Sequence, residues 1–409
     1  MNIIEIIDKK RLKKELNYDE INYAFMGYLN GDIESYQMSA LLMAIVLNGM
    51  SDEEVYHLTD VFINSGDILD LSKINGVIVD KHSTGGIGDK TTLIIAPIVA
   101  SLGVKVCKMS GRGLGYTGGT IDKLESIPGF NVNLTDEEII KEVNTIGMAI
   151  TSQTKNLTPL DKVVYALRDV TGTVESIPLI ASSIMSKKIA SGASKILIDI
   201  KVGEGALIKT KEDALKLSEL MKNIGNHYNR EVRTLITDMD RPLGRTVGNL
   251  LEVVEAASIL KGYGKDTYLY KVCIDIASNM VSMALNTPID DSITLVEKVI
   301  SNGEAYRKFL EFIKYQGGRL EDAALSKKTR VIKSDRMGEI KEINALKIGM
   351  LSASLGSSKF SVDDQIDYGV GVVLNKKVGD VVKFGDPLCT IYIGDKEDYP
   401  NPLDAFTIE

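Results

Sequence analysis

The segment GVIVDKHSTGGIGDKTTLIIAPIVASLGVKVCKMSGRGLGYTGGT, residues 76–120, constrains the fold more than any other part of the chain. Its spacing predicts a strand over 77–79, a helix over 91–102 and a strand over 104–109. That is a βαβ unit with a glycine-rich loop after each strand. In open α/β sheets, ligands bind beyond the carboxyl ends of the strands, where both loops fall. The second loop, SGRGLGYTGGTIDKLE (110–125), carries Gly111, Gly113, Gly115, Gly118 and Gly119. Glycine lets backbone N–H groups turn toward one point and lets a ligand approach without meeting a Cβ. With Ser110, Thr117 and Thr120 as hydroxyl donors and Arg112 as a fixed positive charge, this loop suits an anion, above all phosphate.

Two common nucleotide motifs fit poorly. In KHSTGGIGDKTT (81–92), Asp89 stands where a P-loop needs glycine before its lysine. Gly113 to Gly118 matches G-x-G-x-x-G, but Pro128-Gly129 interrupts the following helix within about two turns, unlike a dinucleotide fold. One glycine-rich loop alone would be a tight strand-to-helix connection. Two at strand ends, both carrying hydroxyls and bases, favour anion binding.

Along the rest of the chain, residues 8–65 show helical spacing with no strand signal, punctuated by Gly31-Asp32 and Asn48-Gly49. Thr135 and Glu138 form a capping box that opens a helix ending near Gly147. Two helical segments between 158 and 193 are separated by Gly172. A buried strand and loop over 196–206, a helix over 211–225 and a strand over 232–239 follow. Helical signal returns over 249–261 and 267–285, and beyond about residue 330 short strands and turns predominate. The fold expected is α/β: a helical domain (1–70 and 159–193), a phosphate-binding α/β domain (74–158 and 194–330) and a β-rich C-terminal domain (331–409).

A net charge of −8 disfavours a protein that neutralises nucleic-acid phosphates. Cys107, Cys273 and Cys389 are odd in number and far apart, with no CxxC, so neither a disulfide framework nor a zinc site is expected. The N-terminus lacks the order of a secretory signal, and the apolar run over 93–104 is too short and too broken to span a bilayer. The expected setting is the cytoplasm, without membrane or nucleic-acid partners.

Of three histidines, His57 and His227 lie on helical stretches and read as packing or surface residues. His82, at a strand end between Lys81 and Ser83, is the candidate for chemistry. Ser183 and Lys187 share a helix face at four-residue spacing, with Arg168 on the preceding segment. Together they offer donors for a ligand's carbonyl oxygens and ring nitrogen, although a solvated surface face fits equally well.

KHSTGGIGD, SGRGLGYTGGTIDKLE and YALRDVTGTVESIPLIASSIMSKK together resemble the thymidine and pyrimidine-nucleoside phosphorylase family, and the resemblance runs through nearly the whole chain. It implies a small all-helical domain facing a larger mixed α/β domain across a cleft, a homodimer formed through the helical domain, and phosphate and a pyrimidine nucleoside as substrates. By motif, Lys81, Ser83, Thr92, Lys108, Ser110 and Thr120 would serve the phosphate side. His82, Arg168, Ser183 and Lys187 would hold the nucleoside, with His82, Arg168 and Lys187 as the catalytic set. Lys108 also matches the branch that accepts ribosides as well as deoxyribosides.

The resemblance further implies a K⁺ site at Gly88, Lys90, Leu243, Thr246 and Glu255, and no organic cofactor. Residues 90 and 246 differ from the family pattern, so backbone carbonyls would have to serve there. Tyr116 stands where histidine is usual, and the tail NPLDAFTIE is short. The implied reaction is reversible phosphorolysis in pyrimidine salvage, with domain closure about hinges near 65–73, 152–158 and Gly192. An anthranilate-type phosphoribosyltransferase and a non-catalytic nucleoside or phosphate sensor are the alternatives.

Overall fold

The computed structural model describes residues 1–113, 115–116, 118–154, 156–359, 364–396 and 398–409. Four helices come first: α1 (Ile3–Arg11), α2 (Tyr18–Asn30), α3 (Ser35–Asn48) and α4 (Asp52–Asn64). Then follow β1 (Val79–Ser83), α5 (Thr91–Ser101), β2 (Val106–Ser110), α6 (Thr120–Glu125), α7 (Asp136–Ile146) and β3 (Met148–Ser152). Helices α8 (Pro159–Thr171) and α9 (Ile177–Ala190) precede β4 (Lys195–Val202), α10 (Lys211–His227), β5 (Glu231–Asp238) and β6 (Thr246–Val247). Next are α11 (Asn249–Leu260), α12 (Tyr268–Leu285), α13 (Ile289–Ser301) and α14 (Glu304–Tyr315). The C-terminal part holds β7 (Lys328–Lys333), β8 (Gly338–Ile343), α15 (Ala345–Ser352), β9 (Gly371–Leu374), β10 (Val381–Val382), β11 (Pro387–Ile393) and β12 (Phe406–Ile408).

The chain divides into two compact units. The first comprises residues 1–73, 153–198 and 210–234. Its core is apolar side chains from α1 to α4 with Leu160, Val164 and Leu179 from α8 and α9. Asn17 with Glu20 and Ser51 with Glu54 close capping boxes on α2 and α4, satisfying N–H groups that a helix start leaves orphaned. Glu54 also accepts from the buried Lys10 ammonium at 2.7 Å and from Leu16 N at 2.9 Å, so both carboxylate oxygens of this buried ion pair are hydrogen-bonded.

The second unit comprises residues 74–152, 199–209 and 235–409. Strands β1, β4 and β5 form one sheet in that order, while β2 and β3 pair in parallel from Val106 opposite Met148 to Ser110 opposite Ser152. A single parallel bridge, Ile78 to Lys105, joins β1 to β2. The βαβ reading therefore holds for α5 and β2, but the first strand lies at Val79–Ser83 rather than 77–79. Alternation rules miss it because Asp80 and Lys81 are polar yet buried, a placement that their pairing permits. Helix α5 is buried from Thr91 to Ala100, which explains its largely apolar sequence.

The C-terminal segment, joined by β6, forms the sheets β6-β9-β11-β7 and β10-β8-β12 around a core that also takes in Ile87 of the first glycine-rich loop. It includes helix α15, where strand signal was expected. Among the described residues, no helix is long and apolar enough to cross a membrane.

Candidate active site

The first glycine-rich loop is built on a buried charge network. Lys81 Nζ donates to Thr91 Oγ1 at 2.6 Å and lies 3.4 Å from Asp199 Oδ2. Lys201 Nζ reaches the same carboxylate at 2.7 Å and donates to Thr237 Oγ1, which in turn donates to Asp199 Oδ1 at 2.6 Å. Asp89 accepts from Ser83 Oγ at 2.5 Å and from Thr91 Oγ1 at 2.6 Å. Burial alone would raise the Asp89 pKa, but the charges of Lys81 and Lys201 hold it well below the ordinary carboxylate range. Two lysines against two carboxylates make a nearly neutral set. Thr84 ties it to β4, donating its N–H to Asp199 O and accepting from Lys201 N. His82 sits half-buried between Lys81 and Ser83, while Thr92 is buried in the first turn of α5.

Lys108 and Ser110 lie on β2, both buried, and Lys108 Nζ donates to Lys81 O at 2.6 Å. The structure thus brings Lys81, Ser83, Thr92, Lys108 and Ser110 onto adjacent strand ends and the start of α5. Thr120 begins α6, and Thr117 lies outside the described residues.

The second loop departs from the open anion cradle that its glycines predict. The N–H groups of Gly113 and Gly119 donate to Asp122 Oδ2 at 2.6 and 2.9 Å, so a carboxylate within the chain already takes them. Arg112, expected to supply a fixed positive charge, pairs with Glu125 and Asp122. Lys123 links the two loops, donating to Gly118 O at 2.6 Å and Asp89 O at 3.0 Å. Glycine is needed at 119 for space, since a Cβ there would meet the Arg112 carbonyl carbon at 2.3 Å.

In the helical unit, Arg168, Ser183 and Lys187 do come together. Lys187 Nζ lies 2.5 Å from Asp161 Oδ2 and donates to Ser183 Oγ at 2.9 Å. The Tyr165 ring stands 5.6 Å from Arg168 Cζ and 5.7 Å from Lys187 Nζ, within cation–π reach of both. Arg168 is 1% exposed and donates to the carbonyls of Thr173, Val174 and Leu179, tying down the turn between α8 and α9. Burial lowers its pKa, and the nearby Asp161 opposes that shift. His57 packs edge-on against Tyr18, and His227 stacks on Tyr56, as packing residues do.

The residues expected to hold K⁺ also gather, but around a positive charge of the chain itself. Lys90 Nζ, fully buried, lies 2.6 Å from Glu255 Oε2, 2.8 Å from Thr246 O and 3.2 Å from Thr246 Oγ1. Burial would raise the Glu255 pKa, yet Lys90 leads the interactions that lower it. Gly88, at φ +76°, allows the carbonyls of Leu243 and Thr246 to approach to 2.9 and 3.2 Å of where its Cβ would stand. A second unit charge about 4 Å from this ammonium would be repelled by ~4 kcal/mol at an effective dielectric of about 20. The side chain of residue 90 meets this donor set, which as it stands does not fit an added alkali-metal ion.

Sequence reasoning passed over Asp89, Thr91, Lys123, Asp199, Lys201 and Thr237 in this unit, and Asp161 and Tyr165 in the helical unit. Two signals were available. Asp161, Tyr165 and Arg168 share a helix face by spacing, and Asp199 and Lys201 are charges inside the apolar strand ILIDIKV.

Residues 4–66 match a family described as the glycosyl transferase family, helical bundle domain, and residues 75–306 match the glycosyl transferase family, a/b domain. Residues 339–408 match the pyrimidine nucleoside phosphorylase C-terminal domain. The chain is 52% identical to a pyrimidine-nucleoside phosphorylase of Staphylococcus haemolyticus and 50% identical to one of Bacillus subtilis, each alignment covering 96% of this chain and 92% of the relative. The fold is similar to a solved anthranilate phosphoribosyltransferase from Thermus thermophilus, with a TM-score of 0.59 at 17% identity over 76% of this chain and 99% of that one.

Proposed function

The chain belongs to the thymidine and pyrimidine-nucleoside phosphorylase family, and from that premise we propose that it converts uridine, thymidine and deoxyuridine, with phosphate, to free base and ribose or deoxyribose 1-phosphate. The enzyme is a pentosyltransferase. Its near full-length likeness to relatives carrying that activity in their names is the observation that carries the reading.

A phosphate oxygen attacks C1′ as the glycosidic bond breaks, through an oxocarbenium-like state of the kind glycosidases stabilise. The bonding electrons leave with the pyrimidine, so negative charge grows on the base. Arg168, Lys187 and His82 are assigned to meet that charge, with Ser183 fixing the ring. Donors that gain strength as charge develops lower the barrier instead of merely tightening substrate binding. The Lys187–Ser183–Asp161 set supports this, because an ammonium already oriented by Ser183 and Asp161 needs little reorganisation.

On the phosphate side we assign Lys81, Ser83, Thr92, Lys108, Ser110 and Thr120. An arriving phosphate competes with Asp89 for the Ser83 hydroxyl and with Asp199 for Lys81. Positioning the nucleophile in this way accounts for much of the rate, and no protein nucleophile is required.

We further assign the enzyme to pyrimidine salvage in the cytoplasm, in keeping with three buried thiols. A homodimer through the helical unit is supported by exposed apolar side chains on α1 and α3, among them Ile4, Tyr36 and Leu47. Sedimentation of wild type against Leu47→Glu tests that assignment, and a monomeric wild type contradicts it.

Product analysis tests the main reading. Phosphate with each nucleoside yields base and pentose 1-phosphate, and absence of product from all three overturns it. Phosphoribosyl transfer from a phosphoribosyl diphosphate donor, with release of diphosphate, would indicate the transferase alternative. Binding without turnover would indicate a sensor.

A further inference from the structure

Lys90 precedes α5 and carries the first glycine-rich loop into that helix. Its ammonium has three N–H donors and three oxygen partners: Thr246 O, Thr246 Oγ1 and Glu255 Oε2. Glu255 also accepts from Arg245 N at 2.7 Å and from Thr246 N at 3.0 Å, which turns its carboxylate toward Lys90. The oxygens converging here are those of an oxygen-rich cation site, and the charge at their centre is covalently attached.

We propose that the Lys90 ammonium is a built-in monovalent cation that replaces K⁺ between the first glycine-rich loop and residues 243–255, so that neither stability nor turnover depends on alkali-metal ions. A diffusible ion must be captured from solution, whereas a tethered charge is present at very high effective concentration in every molecule. The consequence reaches the phosphate side through adjacent residues. Lys90 fixes the loop end that carries Asp89 and Thr91, and Thr91 accepts from Lys81. Lys90 is therefore a positioning residue.

The activity arm of the test rests on the phosphorolysis reading, while the unfolding arm does not. Wild type in a tetramethylammonium buffer is titrated with K⁺ at constant ionic strength, reading Tm, kcat and the KM for phosphate. Each activity parameter is expected to change by less than about twofold, with no rise in Tm. Lys90→Ala removes the tethered charge and leaves its oxygens facing a gap. It is expected to lose about tenfold or more in kcat/KM for phosphate, and to recover activity and Tm on adding K⁺ or NH₄⁺.

A rise in wild-type Tm or turnover with K⁺ overturns the proposal. So does a folded Lys90→Ala that is fully active without K⁺, or one that K⁺ and NH₄⁺ fail to rescue. If Lys90→Ala does not fold, the wild-type titration decides alone. An inactive wild type whose Tm ignores K⁺ would sink the phosphorolysis reading and leave this inference standing.

Discussion

Lys187 and Asp161 meet at 2.5 Å with Ser183 and Tyr165 beside them, so the charge assigned to the leaving base is held before substrate arrives. A charge-assisted hydrogen bond contributes about 1.5–3 kcal/mol, so Lys187→Ala should cost roughly one to two decades, chiefly in kcat. A raised nucleoside KM with unchanged kcat would reduce Lys187 to ground-state binding. Lys108→Met should slow uridine more than thymidine, and equal losses on both would remove Lys108 from sugar selection. Glu142 on α7 is buried, and burial, with the Glu138 charge adding to it, pushes its pKa up to about 8. A raised folded-state pKa means stability that is full below the unfolded value and lost as pH rises through about 8. Glu142→Gln should therefore flatten the fall of Tm between about pH 5 and 8, and an unaltered Tm profile would contradict this. Arg168, Ser183 and Lys187 were legible because their motif is long. Asp161 and Tyr165 were not, because a partner across a helix turn looks like any amphipathic face until the neighbouring helix is in place.

The second glycine-rich loop is held by Asp122, which takes the Gly113 and Gly119 N–H groups, and by Lys123, which joins it to the first loop. Gly119→Ala places a methyl 2.3 Å from a backbone carbon, so about 1–3 kcal/mol of overpacking strain is expected, with a raised KM for phosphate. An unchanged Tm and KM would show that the loop can yield. Helix starts such as Thr135 with Glu138, and the Gly172 break between α8 and α9, could be read in the sequence because capping and left-handed glycine are local effects. The position of β1 could not, since its polar Lys81 is buried against Asp199, over a hundred residues away. Nor could the destination of the second loop's N–H groups, because glycine content says that a backbone can turn and not what it turns toward.

At the scale of the molecule, Lys81, His82, Ser83, Thr92, Lys108, Ser110 and Thr120 belong to one compact unit and Arg168, Ser183 and Lys187 to the other, and the proposed reaction draws on both sets. The helical start, the α/β middle and the strand-rich end were visible in periodicity. The inclusion of residues 210–234 in the first unit was not, because their helix and strand read locally like any α/β segment. If the two sets serve one reaction, Lys81→Ala should raise the KM for phosphate and Arg168→Ala should lower turnover, and each should reduce both products together. The most direct measurement is to incubate wild type with phosphate and uridine, thymidine or deoxyuridine and to quantify free base and pentose 1-phosphate. Equimolar base and pentose 1-phosphate are expected. Free pentose in place of its 1-phosphate, or no base from any of the three nucleosides, would contradict the account.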